Sequence, residues 1–167
     1  VQPIFKESAR PVHPDKRLSL DTELRFHLTK DVHRFVAQVL DGCPPDENAR
    51  VLAALEQSGF HLRLTRDLDV AKAYLQDRYS DQPDARYGLL ASSRDKLLPR
   101  FRVYNGFQDT KIVRFGPWYA DAEHDPSGRS CRLLKECVTE FGAQGLELDA
   151  ALVAWGADFR REGGRWD

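Results

Sequence analysis

Methionine is missing from this 167-residue sequence, even at position 1. We therefore expect a piece of a larger protein, in which 1–17 is an irregular lead-in and 18–167 forms a single domain. The three cysteines, Cys43, Cys131 and Cys137, include no Cys-x-x-Cys pair, which argues against a disulfide framework and against a zinc site. Reduced thiols in a cytoplasmic protein are the expected state.

A large net charge and long hydrophobic runs are also missing. The formal net charge is −1, so there is no overall basic field, and any nucleic-acid contact must be a local patch. No apolar run approaches the roughly 20 residues that span a bilayer, and no signal-peptide pattern opens the chain. A phosphate loop of the form Gly-x-x-x-x-Gly-Lys-Ser/Thr is likewise missing. We expect no membrane contact and no complete nucleotide site.

Apolar residues recur with two different periods along the chain. Helical spacing predicts helices at 30–40, 47–58 and 68–79. Alternating or short continuous apolar runs predict strands at 60–65, 86–91, 112–115, 136–139 and 151–155. The run at 151–155 is continuously apolar, as expected of a strand covered on both faces. Residues 118–130 are predicted to form a loop. Helices that alternate with such strands indicate an α/β fold with a parallel sheet.

Ligands of parallel sheets bind beyond the carboxyl ends of the strands, which directs attention to 92–94 and 139–147. Residues 139–149 read TEFGAQGLELD. Gly145 permits a tight turn or a close approach to a ligand. Glu147 can accept a hydrogen bond from a sugar hydroxyl, and Thr139 can hold a phosphate oxygen. The alternative is a plain connection in which polar side chains satisfy local backbone groups.

Three blocks of the sequence carry a family resemblance. TEFGAQGLELDAALVAW resembles motif V of UvrD/Rep-type superfamily-one helicases, which runs Thr, four residues, Lys or Gln, Gly-Leu-Glu and an apolar strand. More closely, ECVTEFGAQGLELDAALVAWGADFRR and RYGLLASSRDK resemble the Schlafen-related bacterial family of uncharacterised helicase-like ATPases. LDTELR at 20–25 is similar to helicase motif IV, Leu-x-x-Asn/Gln-aromatic-Arg, although Glu23 and Leu24 depart from that pattern.

The resemblance implies a fold and a catalytic residue. The order of the blocks is that of the second RecA-like lobe of such motors. It implies an α/β, parallel-sheet RecA-like (P-loop NTPase-like) lobe flanked by helices and without its own phosphate loop. Arg25 would reach the γ-phosphate of ATP, where a guanidinium offsets charge that spreads over the phosphoryl oxygens.

The resemblance also implies binding residues and partners. Glu147 would face the ribose of the nucleotide or the lobe interface, and Gln144 and Gly145 would shape its loop. Thr139 would contact the nucleic-acid backbone, and Ser93 is a second candidate contact to the strand. ATP and Mg²⁺ would be bound mainly by a missing N-terminal RecA-like lobe, and the polymer would be DNA or RNA. This chain would be inactive alone, and no metal ligand is assigned to it.

Two other functions remain open from the residues. A degenerate RecA-like domain can serve as an interaction module without nucleotide. A stand-alone hydrolase can use the acidic loop around His124 to hold a cation. Trp118 and Tyr119 can either stack on a base or anchor the core.

Overall fold

The computed structural model describes residues 30–42 and 44–166, which divide into two compact units. The first unit ends at His61 and the second begins at Leu62. Across these described ranges, no helix has the length and apolar character needed to cross a bilayer. The lead-in predicted at 1–17 lies outside the described residues, and the assignment of 18–167 to one domain stays a prediction.

Two consecutive helices make up most of the described part of the first unit. Helix α1 spans Lys30–Asp41, helix α2 spans Pro45–Gln57, and the two pack against each other. Leu55 is buried, and Nε2 of Gln38 in α1 donates a 3.0 Å hydrogen bond to Glu47 in α2. Both helices predicted in this region are confirmed.

The strand predicted at 60–65 is wrong. The backbone N–H of Phe60 donates to the carbonyl of Leu55 and closes the end of α2. Leu62 and Leu64 are exposed, and no strand pairs with this segment in the described chain. Alternating apolar residues form a strand only where they can pair with a neighbouring strand and bury one face. In the described chain this segment does neither.

A parallel sheet organises the second unit. Its strands are β1 (Tyr87–Ala91), β2 (Cys137–Thr139) and β3 (Ala150–Ala154). The strand order is β2-β1-β3, with both neighbours parallel to the central β1. The predicted α/β class with a parallel sheet is therefore confirmed, and each of these strands lies within two residues of its predicted bounds.

Short helices and a hairpin complete the second unit. The further elements are α3 (Leu68–Arg78), α4 (Phe107–Lys111), α5 (Phe115–Ala120), α6 (Glu140–Ala143), β4 (Arg161–Glu162) and β5 (Arg165–Trp166). The carboxylate of Asp67 accepts hydrogen bonds from the backbone N–H groups of Asp69 and Val70, which fixes the start of α3. Helix α3 was predicted at 68–79 and is confirmed.

The core of the second unit lies on both faces of β1. Tyr87 and Leu89 join a cluster with Leu75, whereas Trp118 and Val138 belong to a second cluster. Alternate residues of a strand point to opposite faces, so the central strand supplies both clusters.

The segment around Trp118 corrects two sequence predictions. Residues 112–114 form no strand, so the strand predicted at 112–115 is wrong, and α5 replaces the first residues of the loop predicted at 118–130. The Trp118 side chain is 0% exposed, which confirms core anchoring and excludes stacking on a base here. A Cβ atom at Gly88 would lie 2.6 Å from Cη2 of Trp118, so the ring packs directly on the glycine backbone.

The prediction that β3 is covered on both faces is also wrong. Leu152 and Ala154 pack against the first core cluster, but Ala151, Val153 and Trp155 are exposed. The sheet has β3 at one edge, and only one face of this strand meets the rest of the second unit. An unbroken apolar run therefore does not establish two-sided burial.

Candidate functional site

The carboxyl ends of all three parallel strands lie at one edge of the sheet. Ala91 aligns with Thr139 on one side and with Ala154 on the other. The segments that follow these strands therefore start side by side. They contain the end of the RYGLLASSRDK block after β1, the TEFGAQGLELD segment at the end of β2, and the end of the apolar run after β3.

Ser93 and Glu140 join the first two of these segments. The Oγ of Ser93 donates a 2.5 Å hydrogen bond to Oε1 of Glu140, and the backbone N–H of Ser93 donates a 2.9 Å bond to Oε2. Burial acts to raise the pKa of the Glu140 carboxyl, but these bonds and the nearby Arg94 charge lower that pKa on balance. All three residues are exposed, so the contact lies at the surface.

Asp95 joins the segment after β1 to the segment after β3. Its carboxylate is buried, with 4% of the residue exposed, and it accepts hydrogen bonds from the backbone N–H groups of Ala157 and Asp158. It also accepts from Leu97 and Leu98 at 2.6 and 3.1 Å. Burial acts to raise the pKa of Asp95, but these backbone donors lower it on balance.

Asn105 fixes the loop at 92–95 that follows β1. It is 2% exposed, and its Nδ2 donates 2.6 Å hydrogen bonds to the carbonyl oxygens of Ser92 and Asp95. The Ser92 hydroxyl donates in turn to the carboxylate of Asp158. Sequence reasoning missed both Asp95 and Asn105. Only Asp95 carried a local signal, because an Asp that precedes a helical turn commonly bonds the following N–H groups.

The TEFGAQGLELD segment runs from the carboxyl ends of the parallel strands back to their amino ends. After α6, Gln144 and Gly145 form an exposed turn in which Gly145 has a φ of +81°. Glu147 is exposed, and its carbonyl accepts a 2.8 Å hydrogen bond from the hydroxyl of Tyr119. Asp149 then accepts a 2.7 Å bond from the N–H of Arg86, which precedes β1.

The structure brings some of the predicted site residues together. Ser93 and Thr139 lie at the same edge of the sheet, although Thr139 is only 6% exposed. The exposed segment that follows α6 contains Gln144, Gly145 and Glu147. The roles assigned to these five residues stay predictions. Arg25 and the LDTELR block lie outside the described residues.

The comparison with known families gives a match that covers most of the chain. The family model described as Schlafen group 3, DNA/RNA helicase domain, matches residues 4–167. The chain belongs to this Schlafen helicase-domain family. The predicted Schlafen-related, helicase-like assignment is confirmed, and the family gives the chain a helicase-like function related to nucleic acid. Searches of curated proteins and of solved structures gave no significant match.

In this Schlafen-family domain, carboxylates of the acidic loop around His124 bond to other residues of the second unit. Ser127 bonds the carboxylates of Asp121 and Asp125, and Glu123 pairs with Arg132 at 3.2 Å. Among residues 30–42 and 44–166, no group of His, Cys, Asp and Glu has a geometry that suits a metal ion. The contacts leave little support for a hydrolase that uses a cation in this loop.

The contacts of Arg132 stabilise the connection that precedes β1. Arg132 is 3% exposed and donates hydrogen bonds to the carbonyl oxygens of Tyr79, Gln82 and Ala85, which precede β1. Its guanidinium also lies 4.9 Å from the centre of the Tyr87 ring. The residue therefore has a structural role in holding the approach to the central strand.

Proposed function

We propose that this chain is the C-terminal RecA-like lobe of a nucleic-acid-dependent ATPase. The proposal assigns ATP and Mg²⁺ mainly to an N-terminal RecA-like lobe outside this chain, so this chain alone is inactive. ATP supplies the bond whose hydrolysis drives motion between the lobes. The UvrD/Rep-type comparison and the bacterial origin of the related family remain parts of the proposal.

The TEFGAQGLELD segment provides the main support. It starts beside Ser93 at the carboxyl edge, and it exposes Gln144, Gly145 and Glu147 beyond α6. One short segment thus has exposed residues at two places, Glu140 and Phe141 in α6 and Gln144, Gly145 and Glu147 after it. This separation suits a connection that contacts a strand at one end and a nucleotide at the other.

The residues of the exposed turn fit a nucleotide sugar. The Glu147 carboxylate can accept hydrogen bonds from ribose hydroxyls, because its side chain is exposed. Tyr119 holds the Glu147 backbone in place, and Gly145 supplies the left-handed conformation in the turn that the hydrogen bond from Leu146 to Ala143 closes. We assign Glu147 to ribose or to the lobe interface, and Gln144 and Gly145 to the shape of the loop.

The remaining roles follow from the family resemblance and the sheet edge. Arg25 is assigned to the γ-phosphate, where its positive charge stabilises the transferring phosphoryl group. Ser93 and Thr139 are assigned to the nucleic-acid backbone. Ser93 offers exposed donors for this contact, whereas Thr139 must either open or contribute its backbone. Closure of the two lobes over the nucleotide would then change the grip on the strand.

Two variants of the complete gene product test this function. Arg25→Ala and Glu147→Ala should each reduce ATP hydrolysis in the presence of single-stranded DNA or RNA. Loss of a charged contact to a transferring phosphoryl group typically costs about 10²-fold or more, so Arg25→Ala should have the larger effect. Asp81→Ala is the matched control, because Asp81 is exposed in the connection before β1. Near-normal turnover in both test variants would favour the interaction module.

A further inference from the structure

The two hydrogen-bond donors of Ser93 converge on one carboxylate. The backbone N–H and the hydroxyl of Ser93 each bond a different oxygen of Glu140, at 2.9 and 2.5 Å. Arg94 follows immediately, and its positive charge acts on the same carboxylate. A backbone N–H and a hydroxyl that each bond one of two anionic oxygens, with an arginine next in the chain, are groups that proteins use to bind phosphate.

These donors are held in place by contacts that do not involve Glu140. Asn105 bonds the Ser92 carbonyl at 2.6 Å, and the Ser92 hydroxyl bonds Asp158. The N–H of Arg94 also donates to Oγ of Ser92, at 3.2 Å. If the Glu140 side chain moved away, the loop would keep its shape. The donors would then be preorganised for another anion, which lowers the cost of binding it.

Glu140 itself is able to leave. Its side chain is exposed and sits on α6, which has only four residues. Its two hydrogen bonds to Ser93 lie at the surface, where water can take the place of the serine donors when the carboxylate moves out. We therefore interpret the Glu140 carboxylate as a group of the protein that fills an anion site. The buried Asp95, in contrast, stabilises the fold.

We propose that Ser93 and Arg94 form a phosphate-binding site that Glu140 occupies reversibly when no strand is bound. A phosphate oxygen pair takes the places of the two Glu140 oxygens, and the displaced carboxylate moves into solvent. The choice of a nucleic-acid phosphodiester as the occupant rests on the proposed function. Glu140 thus sets the affinity for the strand, because each binding event must displace it.

Removal of the carboxylate should strengthen strand binding. Glu140→Ala in the complete gene product should bind a fluorescent single-stranded oligonucleotide about tenfold more tightly, since the competing charged hydrogen bonds are gone. Asp81→Ala removes the same charge from an exposed position before β1 and should change affinity much less. Adding Ser93→Ala to Glu140→Ala should cancel most of the gain, because the donors lose the hydroxyl.

Three competitors identify the source of the phosphate. Unlabelled oligonucleotide, ATP and inorganic phosphate are each titrated against Glu140→Ala and wild type. A gain confined to oligonucleotide supports the proposal as stated, whereas a gain only for ATP or inorganic phosphate overturns the assignment to a strand. Equal affinities of Glu140→Ala and wild type for all three ligands would overturn the site itself. That result is independent of ATP turnover in the Arg25 and Glu147 variants, which tests the motor function.

Discussion

Asp95→Asn should destabilise the second unit strongly, because one side of the carboxylate would become a donor. The remaining carbonyl oxygen can keep the bonds from Leu97 and Leu98, but the new NH₂ group would face the N–H groups of Ala157 and Asp158. Hydrogen bonds to a charged group contribute about 1.5–3 kcal/mol each, so loss of two should cost about 3–6 kcal/mol. This is a large part of the stability of an ordinary domain.

Urea unfolding and amide hydrogen exchange measure this effect. The unfolding midpoint of Asp95→Asn should fall, and exchange at Ala157 and Asp158 should accelerate more than exchange in α1. Asp81→Asn is the control for the same chemical change at an exposed position, and it should alter stability by no more than about 0.5 kcal/mol. A loss below about 1 kcal/mol for Asp95→Asn, with unchanged exchange at Ala157, would refute the role given to this carboxylate.

Three further predictions concern the core, the thiols and the response to acid. Gly88→Ala should cost about 1–3 kcal/mol in urea unfolding, because the added Cβ would lie 2.6 Å from the buried Trp118 ring; an unchanged midpoint would contradict this packing. Cys131 and Cys137 should resist alkylation in the native protein, since burial raises both thiol pKa values, that of Cys137 to about 12; mass spectrometry that finds rapid labelling would disprove it. The pKa values of Asp95 and Glu140 are lowered by folding, so their stabilisation is present above about pH 4 and is lost as pH falls through the folded values; the double variant Asp95→Asn/Glu140→Gln should flatten this acid limb, and an unaltered limb would count against it.

Local patterns in the sequence predicted much of the fold. The helices at 30–40 and 68–79 have clear apolar spacing or a capping carboxylate, and both formed close to their predicted bounds. The strands before the two motif loops were short apolar runs between polar connections, and they paired in parallel. Signals of this kind act over a few residues, so they can be read without knowledge of the tertiary structure.

The network at the carboxyl edge depended on distant parts of the chain. Asp95 bonds Ala157 across 62 residues, and Ser93 bonds Glu140 across 47. These pairs meet only because three parallel strands end at one edge. The sequence could place Ser93 in a candidate loop, but it could not show that Glu140 would occupy its donors.

The exposure of one face of β3 also depends on distant parts of the chain. A run of Ala, Leu and Val residues is apolar at every position, so its pattern gives no indication of which side faces solvent. Leu152 and Ala154 pack against the first core cluster, whereas Val153 and Trp155 are exposed. Which face of β3 is covered depends on how distant elements pack against the sheet, because β2 also lies at an edge of the sheet and is buried.

ATP turnover by the complete gene product, measured with and without single-stranded DNA or RNA, tests the central claim most directly. We expect hydrolysis that rises several-fold when the nucleic-acid strand is added, because the TEFGAQGLELD segment would contact both the strand and the nucleotide. Turnover that is absent, or that stays the same across saturating concentrations of both polymers, would contradict the assignment of this chain to a nucleic-acid-dependent motor.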